Sequence, residues 1–518
     1  MRVHALLALL GGSGFALASP IDAPPPPRVT PVFVPPKRSV RERDLSQRAP
    51  ARAALNSTLY TPQGCLRTSV TALMMNDILE EGGTGAALVL CQSQRYDLNN
   101  TLIFTAPNQL IHTLGDPKND KRATLRVVGQ DMSVAIYGAH DMTNNIQIRS
   151  VTIDGNRPAM GVLAGGAALL ELGGNSPGHQ VTNSRILNPR GWSCLHVIEG
   201  YENSCRNASI TGNEIGPCGQ APTSATQFFV RPSASFSWFR RRAPPRKQAA
   251  VVPGGLWADG ISLSCGDSTV RSNTVTDATD GGIVVFGSPG SVIANNHIVA
   301  KSQTLMGGVN LVDYYPWLGD TRVTVDSNTI STQGAQIKLG IAIGVLAWSN
   351  VNSTSARTRG MTVTRNTFTS KGGAFSYAVA ASGADDATIS GSVYKDAKFS
   401  AALSGACIDG ALPPTPQALV ADRWTTSNAT LSGAFDRDAP CAFLICTMST
   451  AYGPAWTNPD DKTVGGPPAA AKSKGSKRPR ATPATVVGVV GSLLNDTESD
   501  PALAFDKRAV LDFFSLSQ

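Results

Sequence analysis

The sequence is poor in charge. Lys, Arg, Asp and Glu make up 16% of its 518 residues, against the roughly 25% usual for globular domains. Aromatic residues are scarce as well, at 6%. There is no pair of CxxC motifs at zinc-like spacing, no nucleotide-binding loop and no convincing Ser/His/Asp arrangement, so three common chemistries drop out. The formal net charge is +8, but residues 1–60 hold eight Lys/Arg against three acids, residues 222–253 six against none, and residues 466–518 seven against five. The rest of the chain carries −5. The basic balance therefore belongs to the ends and one insert, which argues against a nucleic-acid partner.

What is abundant is glycine and proline, 50 and 34 residues, which disfavours a helical bundle. Apolar residues at 42% leave enough material for a long core and exclude global disorder. At the start, Arg2 followed by an apolar run to Ala18 reads as a secretory signal over residues 1–19, too short to span a bilayer, so no membrane contact is expected after its removal. Residues 20–58, with Pro24–Pro27 and the dibasic Lys37-Arg38, read as a Pro-rich linker or propeptide. Folded structure is expected over 59–455, and 456–518 as a low-complexity, mostly disordered tail.

The nine cysteines fit an oxidising compartment, with Cys65/Cys91, Cys194/Cys205, Cys218/Cys265 and Cys407/Cys441 as expected pairs and Cys446 left over. Six sequons, at Asn56, Asn99, Asn207, Asn352, Asn428 and Asn495, are compatible with a secreted glycoprotein.

A short phrase recurs in the middle of the chain: a β-branched alternation, then Asn, a variable residue and an apolar one. It falls at Asn213, Asn273, Asn296, Asn328 and Asn366, spaced by 60, 23, 32 and 38 residues. Ser184-Arg185-Ile186 and Val151-Thr152-Ile153 sit in equivalent contexts upstream. Each unit offers two or three short strands and no amphipathic helix, so one unit alone cannot bury its apolar side. Stacking the units, with like side chains roughly 4.8 Å above one another, makes a continuous core and lets the recurring Asn side chains bond to neighbouring backbone at the bends. The fold class is therefore all-β, a parallel β-helix. One helix is expected, Ser69–Glu81, with Val70, Leu73, Met74, Ile78 and Leu79 as its apolar stripe, capping the open end of the solenoid.

The cap helix with its Gly pair, the phrase around Tyr96-Asp97-Leu98, and the Asn-x-Ile coils followed by Trp257-Ala258-Asp259-Gly260-Ile261 and Thr279-Asp280-Gly281-Gly282-Ile283 are similar to the right-handed parallel β-helix proteins of the pectin-lyase-like superfamily, including secreted fungal ones. The resemblance covers roughly residues 60–410 and implies a right-handed solenoid. That superfamily holds hydrolases, lyases, epimerases, esterases and non-enzymes, so the fold leaves the chemistry open. Residues 222–253, rich in Arg, Phe, Trp and Pro, are unlike the coils around them. They read as an unstructured insertion, a gene-prediction artefact, or a loop gripping an acidic polymer.

Asp259 and Asp280 are 21 positions apart, about one coil, and should become neighbours on adjacent coils. Glycosidic cleavage needs one protonated carboxyl and one carboxylate, and mutual repulsion of two stacked acids supplies the protonated one. Asp277 could join from the preceding bend. Asp313 offers a third candidate catalytic carboxylate, followed by Tyr314 and Trp317 as a platform for sugar stacking, to which Trp257 also belongs. His196 points outward if Leu195 and Val197 point in, and becomes a candidate sugar contact. The spacing also resembles the polygalacturonase arrangement, although Trp257-Ala258-Asp259 stands for Asn-Thr-Asp, Thr279-Asp280 for Asp-Asp, and Met306-Gly307-Gly308 lacks the histidine. That likeness implies Asp259 and Asp280 as the acids and Lys338 as a substrate contact. Hydrolysis of a cell-wall polysaccharide by a secreted monomer without metal or other cofactor is the leading expectation. Two alternatives stand beside it: β-elimination from a uronate polymer, with calcium as a helper, and a non-catalytic glycan-binding β-helix.

Overall fold

The structure, a computed structural model, describes residues 59–201, 204–220, 257–312, 322–348, 357–400 and 415–438. The expected signal, linker, basic insertion and C-terminal tail lie outside these residues, as do Asp313, Tyr314, Trp317 and the cysteines at 407, 441 and 446.

The chain winds as a solenoid in which each full coil contributes one strand to each of three parallel sheets. The sheets hold 11, 10 and 10 strands; consecutive members of a sheet are three strands apart in sequence, and four apart in the last coils, where a further three-stranded parallel sheet, Thr358–Arg359, Ala384–Asp385 and Thr426–Ser427, is added. Every strand pairing in them is parallel; one column of the second sheet, for example, runs Ile153, Ile186, Ile215, Val275, Ile298, Ile330, Phe368. These side chains are buried and form part of one continuous core. The strands are only two to seven residues long because glycines and left-handed residues turn the corners.

The recurring asparagines occupy one corner, between the first and second sheets. Each follows a residue in the left-handed region: Gly212 (φ 68°), Ser272 (54°), Asn295 (55°), Ser327 (55°) and Arg365 (54°). Asn296 illustrates the arrangement. Its Nδ2 donates to the Val270 carbonyl of the coil before, 2.9 Å, and to Oδ1 of Asn328 in the coil after, 3.0 Å. Its Oδ1 accepts from the backbone N–H and the Nδ2 of Asn273, at 3.0 and 2.9 Å. The same pattern links Asn213 to Asn273 and Asn328 to Asn366, giving an amide ladder through five coils. Upstream, Ser184 continues it by donating its backbone N–H to Asn213 Oδ1.

The N-terminal helix spans Ala72–Gly82, with the Thr71 hydroxyl accepting from the Met74 N–H and Gly83 closing its C-terminus. It starts three residues later than the apolar stripe suggested. Ala72, Met75 and Leu79 are its buried residues, Met74 and Ile78 are partly buried against the core, and Leu73 is 58% exposed. The helix lays the face of Ala72, Met75 and Leu79 on the core, which turns Leu73 to solvent.

Two cysteine pairings differ from expectation. Cys65–Cys91 forms as expected, but Cys194 pairs with Cys218 and Cys205 with Cys265. The reason is vertical stacking. Arg206 and Gly266 pair across adjacent coils, so the cysteines preceding them lie one above the other, Cα atoms 4.8 Å apart, whereas residues close in sequence are spread around the perimeter.

Candidate active site

The third sheet carries the site. Its strands include Ser193–Ile198, Asp259–Leu263, Gly281–Val285, Leu305–Leu311 and Ile337–Ile343. Leu195, Ile261, Ile283, Val309 and Ile341 align as its inward column. The next position of each strand forms an outward column: Tyr137, Glu171, His196, Ser262, Val284, Asn310, Ala342. A bend interrupts the strict alternation just before the inward column. A Cβ at Gly260, Gly282, Gly308 or Gly340 would run into core side chains of the second sheet, Val275, Ile298, Ile330 and Phe368 in turn. Two successive positions therefore face the core, and the outer wall folds towards itself around them. Asp259 and Ser262 meet across this concave bend, the Ser262 hydroxyl donating to Asp259 Oδ2 at 2.8 Å.

The register corrects one detail of the sequence reading. Ile261 pairs with Ile283, so Asp259 lies opposite Gly281, and Asp280 is one step earlier, opposite Ala258. The Gly281 backbone N–H donates to Asp259 Oδ1, 2.9 Å, which ties the inner carboxyl to the coil bearing the second acid. Lys338 falls in the column of Asp280 two coils on, with Met306 between them.

Burial dominates the electrostatics. Asp259 is 3% exposed, and burial, then the charge of Asp280, push its carboxyl well above the usual range, against the pull of Ser262 and Gly281. Asp280 is half-buried, with an Oδ1 that finds no partner; burial lifts it to about 7 and the Lys338 ammonium holds it down. Lys338 is fully buried and lowered to about 7 by that burial, with Asp280 opposing the shift.

Two hydroxyls lie in a row beside Asp259, and the nearer one, Ser262, donates to its carboxyl. Ser193 Oγ sits 3.0 Å from Ser262 Oγ and donates to the Leu195 carbonyl at 3.1 Å.

Other expected residues are placed as follows. Asp277 is buried in the bend before Asp280, and its carboxylate accepts from the backbone N–H groups of Lys301, Ser302 and Gln303 and from the Ser302 hydroxyl, 2.6 to 3.2 Å. It clamps the next coil, and its oxygens are committed there. His196 does point outward, between Glu171 and Ser262, but it is buried, with the Trp192 ring edge-on at 4.8 Å. Trp257 is half-buried against the outer apolar cluster of Val284, Met306, Leu339 and Tyr377.

Asn310 and Ser262 were not foreseen. Asn310 is fully buried on the outward column, and neither its Oδ1 nor its Nδ2 has a hydrogen-bond partner. The signal that could have found both is the Gly-Ile or Gly-Val pair repeated in each coil, which fixes the bend and so the outward position after it. Among the described residues no group of three or more His, Cys, Asp and Glu side chains could hold a metal ion, and no helix is long and apolar enough to cross a membrane.

Residues 257–394 match the family model described as a right-handed β-helix region. The chain thus carries the right-handed parallel β-helix fold. No curated protein matches the sequence. Solved structures similar to it include a DFA-IIIase from Arthrobacter chlorophenolicus A6 in complex with GF2, at 10% identity and a TM-score of 0.41 over 70% of this chain and 90% of that one. Another is a tailspike protein mutant of E. coli bacteriophage HK620 in complex with a pentasaccharide, at 12% identity and a TM-score of 0.37 over 71% and 65% of the respective chains. Both are likenesses of winding and do not bear on the chemistry of this site.

Proposed function

We propose that the protein is a secreted, monomeric carbohydrate-active enzyme that hydrolyses a cell-wall polysaccharide, with Asp259 and Asp280 as the working pair. One observation carries the reading: two carboxyls on adjacent coils, one register step apart, with Asp259 held by the backbone N–H of Gly281 next to Asp280 and both raised above the ordinary range by burial. Asp259, whose protonated form is favoured by burial and by the charge of Asp280, is the acid that protonates the leaving oxygen. Asp280, which titrates near 7 beside Lys338, is the base or nucleophile in its ionised form. The three disulfides fit an oxidising, extracellular setting.

The elimination reading is weakened by Lys338: it is buried and electrostatically tied to Asp280, so it is poorly placed to neutralise a substrate carboxylate. The non-catalytic reading has a specific support in the 3% exposure of Asp259. Hydrolysis requires a bound glycan to gain contact with that carboxyl. The experiment is turnover of wild type and Asp280→Asn on a polysaccharide panel, scoring reducing ends separately from unsaturated products. Reducing ends from wild type and at least a 100-fold loss in the variant are expected. Equal turnover in the two proteins rejects the carboxylate assignment, and binding without turnover favours the non-catalytic reading.

A further inference from the structure

Buried polar groups in folded proteins almost always have partners, because an unpaired amide in a dry site loses its bonds to water with nothing in return. Asn310 departs from this twice over in one side chain, with both its donor and its acceptor unpaired. Its carboxamide folds over two glycines. A Cβ at Gly307 would collide with Asn310 Oδ1, and one at Gly281 would sit 2.6 Å from Asn310 Nδ2 and 3.3 Å from Asp259 Oδ1. The orphan amide and the buried acid therefore both border Gly281, beside the Val284 side chain. Asp280 Oδ1 adds a third polar atom without a partner in the same part of the sheet.

We propose that Asn310 is a specificity-determining contact, which receives a hydroxyl pair of the sugar at the cleavage point and makes the site selective for neutral sugars over uronates. The inference rests on the hydrolase reading. A carboxamide offers one acceptor and one donor group in a single plane, and vicinal hydroxyls both donate and accept, so a neutral ring satisfies both ends. A uronate keeps its ring hydroxyls for Asn310, so the discrimination rests on charge: its carboxylate brings a third negative group beside Asp259 and Asp280, while Lys338 is already engaged with Asp280. Met306, between Asp280 and Lys338 in the column, adds no compensating charge.

The test compares wild type, Asn310→Ala and Asn310→Asp on neutral glycans (β-glucan, xylan, mannan, fructan) and on polygalacturonate and alginate. The Asn310 side chain makes no hydrogen bond within the protein, so Asn310→Ala leaves no group unpaired and should still melt cooperatively, whereas Asn310→Asp adds a buried acid beside Asp259 and should melt lower; a cooperative melt shows that each variant folds. Expected is cleavage of a neutral glycan, with kcat/KM lowered about 10- to 100-fold in both variants. A monodeoxy oligosaccharide should cost wild type a similar factor and Asn310→Ala nothing more. Unchanged kcat/KM in both variants overturns the role of Asn310 and leaves the hydrolase reading intact. Hydrolysis of a polyuronate with neutral glycans untouched overturns the neutral-sugar assignment alone. Absence of cleavage on every substrate, with no binding of neutral oligosaccharides by Asp280→Asn in calorimetry, overturns both.

Discussion

Replacing Asn296 by alanine removes four hydrogen bonds at the centre of the amide ladder. Their energies do not simply add, because two of the four neighbours keep another bond. Asn273 Nδ2 still donates to the Ile210 carbonyl, and Asn328 Oδ1 still accepts from the Asn296 backbone N–H. The groups that lose their side-chain partner are the Asn273 backbone N–H and the Val270 carbonyl. At about 1–3 kcal/mol for each buried group left unsatisfied, the expected cost is about 2–6 kcal/mol. Asn296→Asp is nearly isosteric but places carboxylate oxygens against the Val270 carbonyl and Asn328 Oδ1, so it should cost at least as much at neutral pH and recover partly on acidification. Asn366→Ala should cost about as much as Asn296→Ala, because it leaves the same two kinds of group without their side-chain partner, the Asn328 backbone N–H and the Val325 carbonyl. Asn295→Gly is the control. Asn295 is exposed and left-handed at φ 55°, a conformation that glycine adopts freely. The measurement is the guanidinium midpoint and slope by circular dichroism for all four variants. If Asn296→Ala lies within about 0.5 kcal/mol of wild type, the range typical of neutral surface changes, the ladder contributes no stability and the argument fails.

Three further expectations concern the rest of the molecule. Asp280 titrates near 7 when folded against an ordinary 3.8, so the folded state holds the extra proton and stability falls as pH rises from about 4 to 7; Lys338, near 7 against 10.5, holds fewer protons when folded, and stability rises again from about 7 to 10. Relative to wild type, Asp280→Asn should flatten the acid limb and Lys338→Met the alkaline one; thermal midpoints across pH 4–10 check this, and parallel profiles would refute it. Non-reducing peptide mapping should recover Cys194 linked to Cys218 and Cys205 linked to Cys265, with the Cys194–Cys205 pairing as the refuting result. Met75→Ala should destabilise by about 2–5 kcal/mol and Leu73→Ala by under about 0.5, read from urea midpoints.

The winding was legible because it is written as a local phrase. Asn, a variable residue and an apolar residue recur with a turn-forming residue before them, and each copy does the same physical work at the same corner. What spacing alone did not reveal is that the amides bond to one another as well as to backbone, since that depends on the vertical register. The same register shifted Asp280 by one residue from Asp259 and rearranged two of the disulfides, because the length of a coil, 22 residues between Ile261 and Ile283, is a property of the closed ring. Asp277 looked like a third acid because its type and position suited the chemistry; only the geometry revealed its oxygens committed to the backbone of residues 301–303. Asn310 drew no attention, since an asparagine after a Gly-Gly-Val run resembles any bend residue until its burial is known.

The corner amides also explain why so uneven a chain can build so even a shaft. Successive rungs are separated by 60, 23, 32 and 38 residues, yet each bonds directly to the next. Height along the axis is counted in rungs, whatever length of polypeptide wanders off between them. Excursions can therefore lengthen, shrink or be exchanged on the flank of the shaft without moving the storeys above, which gives such a scaffold a way to acquire new surfaces while its frame stays the same.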